Sequence, residues 1–311
     1  MSEKKLTNFN NPAISLQSWY VAARSGNIKP GQVKSFNLLN RRLAIYRDER
    51  GGIHALDGHC SHLGADLGLG RVIGDQVQCP FHHWRYGPDG RCCAAPGLAE
   101  LPQRRVRVYP ALERWGLIWL FNGPRPLFEL PDAPAGEACW HLRLPPQHIN
   151  CHPHLVIANG LDIRHFEALH GMEYTRPPHL TTQAPYQVTL EMEGRPHSRL
   201  FQMLSGSRRQ AISASFTTIG GHLAWVAVQQ PFRFYILFAG RASARGGCDT
   251  QVVFLFPAGV RLRFVQALGL MYVLLHDDHR VLNSLSFRPG FTEADLALKT
   301  FADIINAMDI W

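Results

Sequence analysis

Short runs with a β-type pattern of apolar and polar positions follow one another from Trp19 to about Asn122. They cover Trp19–Ala23, Val33–Leu39, Leu43–Arg47, Ile53–Leu56, Val72–Cys79, Arg105–Tyr109 and Gly116–Phe121, each of strand length. Turn signals stand between them, as at Lys29-Pro30-Gly31, Gly51-Gly52 and Pro88-Asp89-Gly90. The pattern predicts an all-β domain over 18–124, after a polar segment 1–17. A Pro-rich connector, 123–136, then changes the composition. Within 125–311, β-type runs return at Tyr186–Met192, Ile212–Ile219, His222–Gln229, Phe232–Phe238 and Gln251–Phe256. The chain closes on a predicted helix, with Pro289-Gly290 ahead of it, Thr292 as N-cap and Asp295 at the capping-box position. Ala297, Leu298, Phe301, Ile304, Ile305 and Met308 share one face of that helix, which should pack on the second domain. The fold class expected is α+β, in two domains.

Composition changes this picture little. The chain has 311 residues and 46% hydrophobic content, enough for two globular domains. Met1 to Asn11 is polar, with Lys4 and Lys5, and does not read as a secretory signal. The longest apolar stretch, Val265 to Leu275, is broken by Gln266 and Gly269 and falls short of the ~20 residues of a membrane span. A soluble, cytoplasmic protein is expected. The cysteines number seven, an odd count without disulfide spacing, which points to a reducing compartment. The net charge is +8; residues 18–124 hold 14 Lys+Arg against 8 Asp+Glu, and residues 125–311 hold 16 against 15. No Lys/Arg-rich run with interleaved aromatics accompanies that charge, so a nucleic-acid partner is not expected.

Candidate chemistry begins at Cys60-Ser61-His62 and Cys79-Pro80-Phe81-His82. Two thiols and two imidazoles arrive as Cys-x-His and Cys-x2-His pairs. The commoner zinc frameworks instead pair like ligands, Cys-x2-Cys followed by His-x3-5-His. Alternation is what a Rieske [2Fe–2S] centre requires, with both Cys on one iron and both His on the other. Gly64, Gly68, Gly70, Gly87 and Gly90 offer φ > 0 freedom for two tight loops, and Pro80 stiffens the second. A structural zinc knuckle is the simpler alternative. Trp84 and Tyr86 are positioned either to screen the cluster from water or to pack a sheet. An acidic electron donor docking on this domain accounts for its positive charge.

A second constellation, Asn159-Gly-Leu-Asp162-Ile-Arg-His165-Phe-Glu-Ala-Leu-His170, lies downstream. Asp162 and His165 share a helix face, whereas a continuous helix would turn His170 about 140° from His165. The helix should therefore end or loosen between the two histidines if both bind one metal. A mononuclear Fe(II) oxygenase site needs two His and one carboxylate, leaving positions free for O2 and substrate. Downstream carboxylates run from Glu173 to Asp309. Cys151-His152-Pro153-His154 lacks a matching partner pair and reads as structural.

Together the two motifs resemble the Rieske non-haem iron oxygenases, terminal oxygenase component. The resemblance runs from Trp19 to the Asp277-Asp278 helix. It departs from the family at His83, where Gly usually follows the second ligand His; His82 completes Cys-x2-His and is the assigned ligand, with His83 the competing choice. The resemblance implies cluster ligands Cys60, His62, Cys79 and His82, and iron ligands His165, His170 and Asp278, with Asp277 the fallback. The simpler reading of the Asp277-Asp278 pair is a solvated acidic helix start. Asp162 is implied to hydrogen-bond His165 and, across a subunit boundary, a cluster histidine, here His82; its simpler reading is a contact to Arg164 or to the helix. Asn159, one turn earlier on that face, is implied to stand beside the iron. The family's catalytic domain is an antiparallel sheet with covering helices, helix-grip-like, around a substrate pocket; Phe216, Trp225, Phe232, Phe234, Phe238 and Phe254 are candidate lining residues. Implied partners are a ferredoxin or flavin reductase carrying electrons from NAD(P)H, O2 as co-substrate, a small apolar organic substrate and two further copies in a homotrimer. The resemblance to single-chain monooxygenases, O-demethylases and steroid-oxidising Rieske enzymes favours monooxygenation or desaturation of a ring compound. Ring cis-dihydroxylation and a pure electron carrier are the alternatives.

Overall fold

Leu117–Phe121, Leu-Ile-Trp-Leu-Phe, is buried at all five positions, which fits its place as the middle strand of a three-stranded antiparallel sheet. Trp19–Arg24 and Ala111–Arg114 flank it. The computed structural model describes residues 7–182, 185–205, 210–286 and 290–311; Lys4, Lys5 and Pro289 lie outside the described residues. Its contacts divide the chain into two units, Gln17–Leu127 with Trp311, and the segments up to Leu16 and Phe128–Ile310.

The smaller unit is all-β. Besides the three-stranded sheet it has a four-stranded one in the order Gln32–Leu38, Arg41–Arg47, Ile53–Asp57, Val108–Tyr109. Another joins Arg71–Ile73, Gln76–Gln78, Arg85–Tyr86 and Cys92–Ala94. The single strand expected over Val72–Cys79 is thus a hairpin. Gly74 takes φ 63° at its turn, a backbone state that glycine adopts without steric cost. Trp311 packs on Tyr109, with the guanidinium groups of Arg41 and Arg107 over its ring at 5.2 and 4.6 Å.

The larger unit is built on a nine-stranded sheet. Along its main path run Cys139–Arg143, Cys248–Pro257, Phe234–Ala242, Leu223–Gln230, Ile212–Ile219, Gln187–Pro196 and Met172–Tyr174, every pair antiparallel. Gln147–Ile149 adds to Cys248–Pro257, and His179–Thr181 to Gln187–Pro196. Two of the central strands are almost continuously buried, as covering on both faces requires.

Among the described residues five α-helices accompany this sheet: α1 Pro153–Ala158, α2 Ile163–Ala168, α3 Arg199–Ser205, α4 Phe264–Ser284 and α5 Leu296–Ala307. A 3-10 turn, Glu293–Asp295, precedes α5, and Thr292 and Asp295 close a capping box there. Ala297, Phe301, Ala302 and Ile305 of α5 are buried against Leu16, Ile157 and Leu190. The apolar stretch Val265 to Leu275 lies in α4, which has 21 residues. Asp277 and Asp278 therefore sit in the C-terminal half of a long helix that begins upstream at Phe264, which removes the alternative of an acidic helix start. No helix among the described residues is long and apolar enough to cross a membrane.

Candidate metal centres

In the smaller unit two loops carry the Cys and His pairs. The first is tied by the Cys60 N–H to the Ala65 carbonyl at 2.8 Å, and by the Gly64 N–H to the Cys60 carbonyl at 2.8 Å. Asp66 then anchors it. Its carboxylate accepts from Ser35 Oγ at 2.7 Å, Arg42 Nη2 at 2.6 Å and the Gly68 N–H at 2.8 Å. Burial would raise the Asp66 pKa, but Ser35 and Arg42 hold it below the usual carboxylate range. Of the five glycines expected to need positive φ, Gly64 and Gly90 take it, whereas Gly68 is required for space. A Cβ there would lie 2.0 Å from Ser35 Oγ and 2.5 Å from its backbone nitrogen.

The second loop is closed by the Cys79 N–H to the Trp84 carbonyl at 2.8 Å. His83 stands at φ 59° in it, the left-handed region. That explains a family preference for glycine at the position, since a Cβ is disfavoured there. His82 and His83 are both exposed. The His62 and His82 rings are 4.7 Å apart, and the Trp84 indole stacks on His62 at 4.4 Å with a 4° interplanar angle. Trp84 and Tyr86 are both buried. The Tyr86 hydroxyl contacts Cys60 Sγ at 3.1 Å and Ser61 Oγ at 3.0 Å.

This donor set fits an iron–sulfur group. Cys60 and Cys79 are buried free thiols, and His62 Nδ1 is buried without a hydrogen-bond partner. Burial raises the Cys79 pKa, and the neighbouring Cys60 raises it further. Two adjacent buried thiols ionise readily only when a metal compensates both charges.

In the larger unit, Asp162 caps α2 by accepting the His165 N–H at 3.0 Å. The Tyr174 hydroxyl donates to the Ile163 carbonyl at 3.2 Å and pins the same turn. Helix α2 ends at Ala168, and Gly171 follows at φ 58°. The chain thereby leaves the helix between the histidines and returns His170 toward His165. Their Nε2 atoms are 3.0 Å apart, and Asp278 Oδ1 lies 2.9 Å from the first and 2.8 Å from the second. Among the described residues this is the one group of three or more such side chains whose ligand atoms all lie within 4.8 Å of one another. Asp277 is not part of it.

Charge is shared unevenly across this triad. Burial lowers the pKa of the His165 imidazole, but hydrogen bonding and charge from Asp278 outweigh it and push the pKa up. Burial likewise raises Asp278, and His165 and His170 overcome it to keep the carboxylate ionised. Asn159 Nδ2 stands 3.5 Å from His165 Nε2. The Asp162 carboxylate meets the His165 backbone, not its ring, and His165 Nδ1 is buried without a partner. Two imidazole nitrogens and one carboxylate oxygen converging at a buried point suit a divalent metal with open coordination positions.

Asp278 also lines an apolar cavity. Ile212, Phe216, Val226, Phe234, Ile236 and Phe238 form its sheet wall, and Ile157, Phe166, Leu274, Leu275 and Leu282 its helical wall. Of the aromatics expected to line a pocket, Phe216, Phe234 and Phe238 do so. Trp225 instead stacks on Tyr235 at 5.3 Å, and Phe232 and Phe254 pack into the core. Sequence reasoning missed Phe166, Gln147, Thr250 and His279. The spacing of Leu275, Asp278 and Leu282 along one face of α4 was the available signal for the helical wall. Cys151-His152-Pro153-His154 has a structural role: His152 Nδ1 accepts the His154 N–H at 3.2 Å to cap α1, and His154 Nδ1 donates to the Phe9 carbonyl at 2.8 Å.

Residues 18–110 match the Rieske [2Fe-2S] domain family, so the chain carries a Rieske domain over the unit that holds Cys60, His62, Cys79 and His82. It is a relative of Rieske oxygenase components. It is 33% identical over 168 residues to cholesterol 7-desaturase nvd of Xenopus laevis, a match covering 51% of this chain and 37% of the relative. To the oxygenase component of 3-ketosteroid-9-alpha-monooxygenase from Mycolicibacterium smegmatis it is 32% identical over 166 residues, covering 50% and 43%. The matched part thus spans less than half the length of these relatives. The fold resembles that of dicamba monooxygenase bound to dicamba, with TM-score 0.64 at 18% identity over 93% of this chain and 97% of that one.

Proposed function

We propose that this chain is the terminal oxygenase component of a Rieske non-haem iron monooxygenase acting on a neutral, largely apolar ring compound. The observation that carries the reading is that His165, His170 and Asp278 converge beside an apolar cavity to which Asp278 itself contributes a wall. Cys60 and Cys79 would hold one iron of a [2Fe–2S] cluster and His62 and His82 the other, while His165, His170 and Asp278 would hold a mononuclear iron. When bound, these groups supply electron storage and O2 activation. The chain's own residues do the rest. Asp278 brings the negative charge that favours a divalent cation, and Asn159 crowds one side of His165. Asp162 fixes the start of the helix that presents His165, and the aliphatic and aromatic walls keep bulk water from the substrate.

The same reading includes a ferredoxin or flavin reductase fed by NAD(P)H as electron donor, docking on the basic Rieske unit. It also includes assembly as a homotrimer, in which Asp162 of one copy meets His82 of another, and a cytoplasmic setting. All seven cysteines being free thiols supports the last. The apolar walls and the sterol and steroid names among the relatives support the substrate class.

Iron analysis after anaerobic purification tests the proposal: about three irons per chain are expected, against about two for a pure electron carrier. Asp278→Ala should lower the count by about one, abolish oxygenated product in a reductase-coupled assay read by mass, and leave the Rieske visible spectrum in place. Unchanged turnover in that variant would overturn the assignment.

A further inference from the structure

Six polar or charged side chains are among the described residues lining the cavity: Gln147, Asn159, Tyr174, Thr250, Asp278 and His279. None is a Lys or Arg. Four of them are already engaged. Asp278 faces the two histidines, Asn159 lies beside His165, and the Tyr174 hydroxyl is spent on the Ile163 carbonyl. His279 Nε2 meets the His148 carbonyl at 3.3 Å, and its Nδ1 meets Asn283 Nδ2 at 2.9 Å.

Gln147 and Thr250 remain, and they belong together. They are register partners across the antiparallel strands Gln147–Ile149 and Cys248–Pro257, so their side chains stand on one face of the sheet. The Thr250 hydroxyl donates to the Gln147 backbone carbonyl at 3.1 Å, which commits its proton and leaves its lone pairs as acceptors. Thr250 is buried, at 9% exposure, whereas Gln147 is exposed at the cavity edge and carries both an NH2 donor and a carbonyl acceptor. Ile149, Ile157 and Leu282 line the same cavity.

We infer that Gln147 and Thr250 form a recognition pole that binds one uncharged hydroxyl or carbonyl group of an otherwise apolar substrate, with Gln147 the specificity-determining residue. The inference rests on the cavity being the substrate site. A hydroxyl or carbonyl oxygen can accept from the Gln147 amide, and a hydroxyl can donate to Thr250. A carboxylate would face the Thr250 lone pairs with no Lys or Arg among the described lining residues to pair with it. The pole is also fixed relative to the metal triad: His279, next in sequence to Asp278, hydrogen-bonds the carbonyl of His148, next in sequence to Gln147. Anchoring one end of a substrate there selects which of its carbons faces the triad.

Binding of a matched trio tests this without turnover: 2-naphthol, naphthalene and 2-naphthoate, titrated calorimetrically into the full chain. The wild type should bind 2-naphthol about tenfold more tightly than naphthalene, and 2-naphthoate more weakly than either. Gln147→Leu should bring 2-naphthol and naphthalene to within about twofold of each other, with naphthalene affinity kept. Gln147→Met serves if the leucine variant does not fold. Ala214→Trp, which fills the cavity, should remove binding of all three. A 2-naphthol preference that survives in Gln147→Leu combined with Thr250→Val, or a wild-type preference for 2-naphthoate, overturns the pole and leaves the cavity as substrate site intact. Failure of all three probes to bind wild type overturns both.

Discussion

His83 occupies a left-handed backbone position with a full side chain, next to an exposed His82 whose ring lies 4.7 Å from that of His62. Sequence spacing alone leaves the two histidines in competition, and the backbone gives a physical way to separate them. An L residue at φ near +60° costs roughly 1–2 kcal/mol relative to a right-handed state, and glycine relieves that strain while adding about 0.5–1 kcal/mol of chain entropy to be lost. His83→Gly should therefore fold with stability near that of wild type and keep the Rieske visible and EPR spectra. His82→Ala should lose both. Spectra that disappear in His83→Gly and survive in His82→Ala would exchange the two roles. The glycine preference at this site was visible in the sequence as a departure, but its cause is a dihedral angle, which no residue pattern reports.

At the scale of elements, α2 shows how a short motif is built. Its six residues are too few to be stable alone, and the Asp162 cap and the Tyr174 contact fix its first turn. Asn caps a helix about as well as Asp, so Asp162→Asn should retain the helix and both metals while removing one negative charge. The expected result is wild-type iron content with product formation abolished; near-normal turnover would contradict a role for the Asp162 charge. The interruption after Ala168 was legible because the five-residue spacing of His165 and His170 cannot share one helical face. Other elements were not legible. Helix α4 begins without a Ser, Thr, Asp or Asn cap and contains Gly269, and its apolar positions did not show a clear period. Helix α1 uses a histidine cap and Pro153 at its first turn. Cavity aromatics and core aromatics carry the same signal in sequence. Phe238 lines the cavity and Trp225 faces Tyr235, a distinction set by strand register.

For the molecule as a whole, the larger unit holds a group of neutral imidazoles outside the triad of His165, His170 and Asp278. His152, His154 and His222 lie with ring centroids 4.8 and 5.0 Å apart in succession. Burial depresses all three, His152 to about 4, His222 to about 3 and His154 well below its ordinary value of 6.5. Above pH 6.5 they contribute nothing to pH dependence. Below it the unfolded chain binds protons that the folded chain refuses, so stability falls with pH, by up to about 1.4 kcal/mol per pH unit for each imidazole, until the folded values are reached. Thermal unfolding followed by circular dichroism should give a midpoint several degrees lower at pH 5 than at pH 7; a flat profile across that interval would contradict the assignment.

Helix α4 carries Asp278 and, on the same face, Leu274, Leu275 and Leu282 of the cavity wall. One rod thus carries both the carboxylate of the triad and a piece of the cavity wall. A displacement of that rod at the leucines carries the carboxylate with it, and a displacement at the carboxylate carries the leucines. Any coupling between occupancy of the triad and of the cavity is symmetric: whatever factor one contributes to the other's affinity is returned in full.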